Sequence, residues 1–258
     1  MGSMTDPSPA AEPLPWPVRR LWPLLGTVGL IVIGMAVTTY LEPRLYGHTA
    51  WTLPDDLWGT MAASQRLVHL ELGGLYTQPT GLVTFPGAAV ILAPAVAVSG
   101  AAGLSLSHPG PHNTQPAVWL VAGPYMIAIS AMALFAADVL ADRLRVSGPK
   151  RAFLAAASAA ALWNVAVEWG HPEDAVAVGL LLFAVLALSD GRPPRAAWLT
   201  GAAVAVQPLV LLALPMMLAV LTRRGLAGFL ARVLAPATVL LGAAAAANWS
   251  ATYHAVTS

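Results

Sequence analysis

Seven long stretches of the chain carry almost no charge, and the short segments between them carry most of it. The stretches lie at about 21–41, 85–104, 117–140, 152–167, 175–188, 196–221 and 229–247. Several reach the ~20 residues a helix needs to cross the hydrocarbon core of a bilayer. Charged residues make up 10% of the chain and hydrophobic residues 57%, whereas a soluble domain carries roughly a quarter charged residues. Such a charge deficit is tolerable where lipid, and not water, faces much of the surface. A transmembrane barrel would show ~10-residue alternating segments, and none is seen. The expectation is an all-α polytopic transmembrane bundle of about seven membrane segments over residues 19–258. Residues 1–18, rich in Pro, Ala and Ser, read as a disordered tail, and Met1-Gly2-Ser3 before Met4 reads as a cloning scar.

Charge placement orients the bundle. Eleven of the thirteen basic residues sit in the N-terminal flank, the 143–151 loop, the 192–195 turn and the 223–232 segment. The positive-inside rule puts these four places in the cytoplasm. The N-terminus is then cytoplasmic, and the long first loop, 42–84, extracytoplasmic. So is the turn Glu168–Asp174, by alternation. Within the loop, Leu57, Met61, Ser64, Leu67/Val68 and Glu71 recur at helical spacing, which predicts an interfacial helix over 56–72 ended by Gly73-Gly74. Two stretches conflict with strict crossing. Residues 196–221 have basic residues at both ends, so a broken or re-entrant pair hinged at Gln207-Pro208 is expected. Residues 85–104 pose the same problem, with a break expected at Pro94.

All six histidines (His48, His69, His108, His112, His171 and His254) fall on the side assigned as outer, with Asp55, Asp56, Glu71, Glu168, Glu173 and Asp174. Each cluster has two readings. Asp55-Asp56 either caps a helix, or supplies a general base or oxygen ligands for a divalent cation. Pro172-Glu173-Asp174 either starts a helix or joins Glu168 and His171 as a substrate-binding or proton-relay cluster. Gln207 either satisfies backbone groups freed by Pro208 or faces a substrate. The absence of Cys excludes a disulfide framework and thiolate metal sites. No zinc spacing, phosphate-cradling glycine loop or nucleic-acid motif is present.

The order Asp56-Leu57, Leu75-Tyr76, Phe85-Pro86, Ala93-Pro94, then Gly170-His171-Pro172-Glu173 and Gln207-Pro208, resembles the GT-C superfamily of membrane glycosyltransferases. The nearest type is the polyprenyl-phosphate-mannose-dependent family 87, and the resemblance covers roughly residues 20–235. It implies a GT-C-like fold in the membrane. It also implies transfer of a sugar, mannose by the resemblance, from a polyprenyl-phosphate donor to an acceptor on the outer face. Asp56 would be the base and Asp55 its neighbour or metal partner. His69, Glu71, Tyr76, His171, Glu173, Asp174 and Gln207 would bind substrate. The family's lysine is Gln207 here, and the second proline of its aromatic-Pro-Pro motif is Gly87. Family members run to about twelve spans, so the resemblance implies an N-terminal half, with a second membrane chain as the partner supplying the rest. Heavy Ala, Gly and Pro usage suggests a GC-rich bacterial source and hence a bacterial plasma membrane. A non-catalytic scaffold on the same frame and a transporter are the competing readings. Broken segments fit a transporter, while the lack of an internal repeat speaks against one.

Overall fold

The computed structural model describes residues 16–41, 55–77, 84–104 and 117–257, with single positions at 44, 82 and 106. Helices dominate, and no strand occurs among the described residues. After one helical turn at Trp16–Arg19 come α1 (Leu21–Ala36, prolonged by a π turn to Leu41), α2 (Asp55–Val68), α3 (Pro86–Ala101), α4 (Trp119–Ser130) and α5 (Met132–Arg143). Then follow α6 (Gly148–Trp163, prolonged by a π turn to Glu168), α7 (Pro172–Ser189), α8 (Pro193–Val206), α9 (Leu214–Leu218), α10 (Arg223–Ala247) and α11 (Trp249–Thr257). Proline opens α3 and α7 and stands in the first turns of α6 and α8, where its missing N–H costs nothing.

Trp119–Arg143, Pro172–Ser189 and Arg223–Ala247 are long and apolar enough to cross a membrane. Leu21–Ala36, Pro86–Ala101 and Pro208–Leu218 are apolar but shorter. Large apolar side chains stay on the surface, among them Phe153 at 76% exposure and Leu212 at 80%. In water an apolar surface of this kind would be an aggregation liability; against lipid it is a matched one.

Side-chain contacts fix the helix directions. At one end, Arg20 Nη1 donates to Asp138 Oδ2 and Asp142 Oδ2, each at 3.0 Å. Arg151 binds the same two carboxylates at 2.7–2.8 Å. Arg143 pairs with Asp190 at 2.8 Å. The starts of α1 and α6 and the ends of α5 and α7 therefore share a basic end. α1 and α6 run parallel away from it, with Gly34 packed on the ring of Trp163. α4–α5 and α7 return to it.

α8 leaves the basic end and stops at Gln207. The chain then reverses through a 3₁₀ turn, Pro208–Ala213, into α9. Thr200 Oγ1 of α8 lies 3.4 Å from Met217 Sδ of α9, so the two legs lie side by side. Residues 196–221 thus form a hairpin hinged at Gln207-Pro208, and both of its legs meet the basic end. α10 then rises along α8, with Gly201 against the carbonyls of Arg232 and Val233. At the far end Asn248 Nδ2 donates to the Gly73 carbonyl at 3.1 Å.

Two expectations need correction. α3 continues through Pro94 without a break. A break is not needed, because α3 lies along the far end: Gly87 at its start meets Ala205 near the end of α8, and Leu92 and Val96 further on pack with Leu57 and Trp119 at the starts of α2 and α4. The loop helix ends at Val68, not at the glycines. Leu70 adopts φ 59° there and its N–H bonds the Leu67 carbonyl, which turns the chain before Gly73. α2 also buries a full face on α3. Leu57 and Met61 are 1% exposed, and Ser64 Oγ donates to the Ala89 carbonyl at 2.8 Å. Two fully buried side chains of this size contribute about 1.5–3 kcal/mol each. The 1–18 tail, apart from the turn at 16–19, lies outside the described residues, as does much of the 42–84 loop.

Candidate active site

Three helix ends converge opposite the basic end. α2 begins with Asp55-Asp56, α7 begins with Pro172-Glu173-Asp174, and α8 ends at Gln207. The turn into α7 depends on Gly170, whose φ of +70° is a conformation that a side chain would strain. With that turn made, the His171 N–H bonds the Val165 carbonyl at 2.9 Å, and the imidazole is held over the start of α7.

The imidazole has a carboxylate at each nitrogen. His171 Nδ1 lies 2.9 Å from Glu173 Oε1, and Nε2 lies 4.0 Å from Asp56 Oδ2. An ionised carboxylate only accepts, so with Glu173 charged the Nδ1 position carries the proton. Nε2 then faces Asp56, across a gap too long for a direct hydrogen bond. The Glu173 side chain is 5% exposed, that of His171 36% and that of Asp56 65%. The cluster thus grades from a buried anchor to a solvent-facing carboxylate. Burial alone pushes the His171 imidazole down. The hydrogen bond to Glu173 and the charges of Glu173, Asp174 and Asp56 outweigh it and hold the group above its ordinary value.

Gln207 Nε2 donates to Asp174 Oδ1 at 2.5 Å. Neither expected role, backbone satisfaction or substrate contact, describes this bond; it ties the α8 hinge to the first turn of α7. The backbone at Pro208 is satisfied otherwise, since the Gln207 N–H reaches the Ala203 carbonyl at 2.8 Å and the Gln207 carbonyl accepts from Val210. The helix-start reading of Pro172-Glu173-Asp174 holds. The acids sit at the positive end of the α7 dipole while their side chains reach His171 and Gln207.

The other expected site residues lie elsewhere. His69 and Glu71 follow the far end of α2, about 20 Å from Asp56 along a 14-residue helix at 1.5 Å per residue, and Tyr76 packs on the cluster of Ala63, Leu75 and Ala89. Glu71 pairs with Arg66, whose guanidinium holds its carboxyl below the usual range. The Tyr76 hydroxyl donates to the Thr84 carbonyl at 3.1 Å, and burial pushes its phenol up. The structure does not bring these three to Asp56. His254 stands edge-on to Tyr253 in α11. The side chains of Asp55 and Glu168, and all of His48, His108 and His112, lie outside the described residues. Among the described residues no group of three or more His, Asp or Glu is placed to hold a metal ion.

Sequence reasoning missed the Asp138–Asp142 pair, which holds Arg20 and Arg151 at the basic end. The signal was present: two acids at i and i+4 late in an apolar helix, a costly placement unless paired, with Arg19-Arg20 free to meet them.

No family model matches the chain, and neither the curated proteins nor the solved structures contain a match.

Proposed function

We propose that the chain is a membrane glycosyltransferase, or the N-terminal half of one, on a GT-C-like frame of about seven membrane segments. It takes a sugar, mannose by resemblance, from a polyprenyl-phosphate donor at the outer face of a bacterial plasma membrane. The basic end faces the cytoplasm in this reading, and a second membrane chain is the candidate partner for any missing spans. The observation that supports the reading best is the approach of Asp56 to the His171–Glu173 pair across residues 115 apart in sequence.

The geometry supports the following roles. Asp56, the most exposed carboxylate of the cluster, accepts the proton of an acceptor hydroxyl. The hydroxyl oxygen attacks the anomeric carbon, and the carbon–oxygen bond to the lipid phosphate breaks with its electron pair on the phosphate. Glu173 anchors His171 so that its second nitrogen faces the reacting groups. A histidine held above its ordinary pKa offers the leaving phosphate a cation, which Gln207, in the place of the family's lysine and bound to Asp174, does not. Asp55 remains the neighbour of the base.

Transfer from polyprenyl-phosphate mannose in proteoliposomes tests the reading. Asp56→Asn is expected to lower the rate by about 10²–10⁴-fold, the usual worth of general base catalysis, with insertion and thermal stability unchanged. Transfer that survives the substitution removes Asp56 from the mechanism. The neutral Gln207 favours a second reading, a non-catalytic scaffold, which predicts no transfer by the wild-type chain and co-purification with another membrane protein.

A further inference from the structure

A cavity lies at the opposite end of the molecule from His171. Between α7, the start of α8, α9 and the start of α10 is a cavity of about 880 Å³, within the usual size of ligand sites. Val185, Leu188, Met217, Leu221 and Phe229 supply apolar walls, and Met216 and Val220 at its edge are 77% and 71% exposed. Arg224 and Arg232 also line it, and no carboxylate does among the described lining residues.

The charge balance of this end leaves those arginines in excess. Asp138 and Asp142 are taken by Arg19, Arg20 and Arg151, and Asp190 by Arg143. Among the described residues no carboxylate pairs with Arg224 or Arg232. Arg232 spends one N–H on the Gly228 carbonyl at 2.6 Å; a guanidinium carries five such donors in a fork that suits phosphate oxygens.

We propose that this cavity binds an anionic phospholipid, with its phosphate on Arg224 and Arg232 and an acyl chain along the apolar wall. Two cations beside an exposed apolar wall fit an amphiphile better than a soluble anion, because a free phosphate would leave that wall against water. The site is separate from the reaction proposed above: it lies at the far end of α7 from His171, roughly 27 Å away at 1.5 Å per residue.

Native mass spectrometry of the full chain, released from neutral detergent, tests this without any transfer assay. The probes are dioleoyl phosphatidylglycerol, dioleoyl phosphatidylcholine and inorganic phosphate. Phosphatidylglycerol is expected to be retained roughly tenfold better than phosphatidylcholine, given the attraction of two arginines for an anionic headgroup. The preference should vanish in the Arg224→Gln/Arg232→Gln variant and return in part in Arg224→Lys/Arg232→Lys. Equal retention of the two lipids by the wild-type chain overturns the proposal, whether or not the variants fold. So does an undiminished preference in the glutamine variant. Displacement of the lipid by equimolar inorganic phosphate assigns the site to a soluble anion and overturns it as well.

Discussion

At His171 a single ring joins two elements distant in sequence, since one nitrogen is anchored by Glu173 and the other faces Asp56. Its raised pKa makes folding stability depend on pH. A group bound more tightly to its proton when folded than when unfolded contributes stability below the unfolded value of about 6.5. That contribution is lost as pH rises through the higher folded value. The His171 resonance in a selectively labelled sample should therefore titrate above 6.5 (the ordinary midpoint), and Asp56→Asn should bring the midpoint down by removing one of the charges that raises it. An imidazole titrating below the ordinary value would mean that burial, and not the carboxylates, controls it. The residues of this cluster were legible as candidates, because acids and a histidine beside an apolar run are costly without a purpose. Their partners were not. The Gln207–Asp174 bond links positions whose approach depends on where α8 breaks, and no local pattern encodes that.

Among the elements, α3 and α8 come into close contact just before the hinge. A Cβ on Gly87 would stand 2.2 Å from the Ala205 carbonyl oxygen, two residues before Gln207. This contact explains why glycine follows Pro86. Gly87→Ala is expected to cost about 1–3 kcal/mol, the usual penalty of overpacking, read as a lower midpoint of thermal unfolding in detergent. At the other end, Arg20 and Asp138 are paired with side chains only 8% and 4% exposed. Asp138→Ala leaves Arg20 and Arg151 to share the single carboxylate of Asp142, so it should destabilise by up to about 3–5 kcal/mol, the cost of breaking a buried pair outright. Asp138→Asn, which keeps hydrogen bonding, should do less harm. Equal stability of wild type and Asp138→Ala would show the network to be solvated. Segment positions could be read from apolar runs, because length and composition dictate them. Helix endings were harder: α2 stops at an exposed leucine with positive φ, a choice that the adjacent Gly73-Gly74 pair obscures.

On the scale of the whole molecule, one end gathers arginine–aspartate pairs and the other gathers Asp56, His171, Glu173, Asp174 and Gln207. The sorting of basic residues along the chain announced this polarity, since the positive-inside rule acts on sequence directly. It also announced the hairpin at 207–208, because basic residues at both ends of one apolar run cannot lie on opposite sides. The cavity between α7 and α10 was not announced, since it depends on four segments meeting. Asp56 and His171 meet at one end of the bundle. The chain has no cysteine, so an introduced pair is unambiguous. Cysteines at 56 and 171, treated in native membranes with a short bifunctional thiol reagent, should cross-link in high yield, while cysteines at 56 and 190 should not. Failure of the 56–171 pair in a folded chain, or cross-linking of 56 to 190 in its place, would contradict the account.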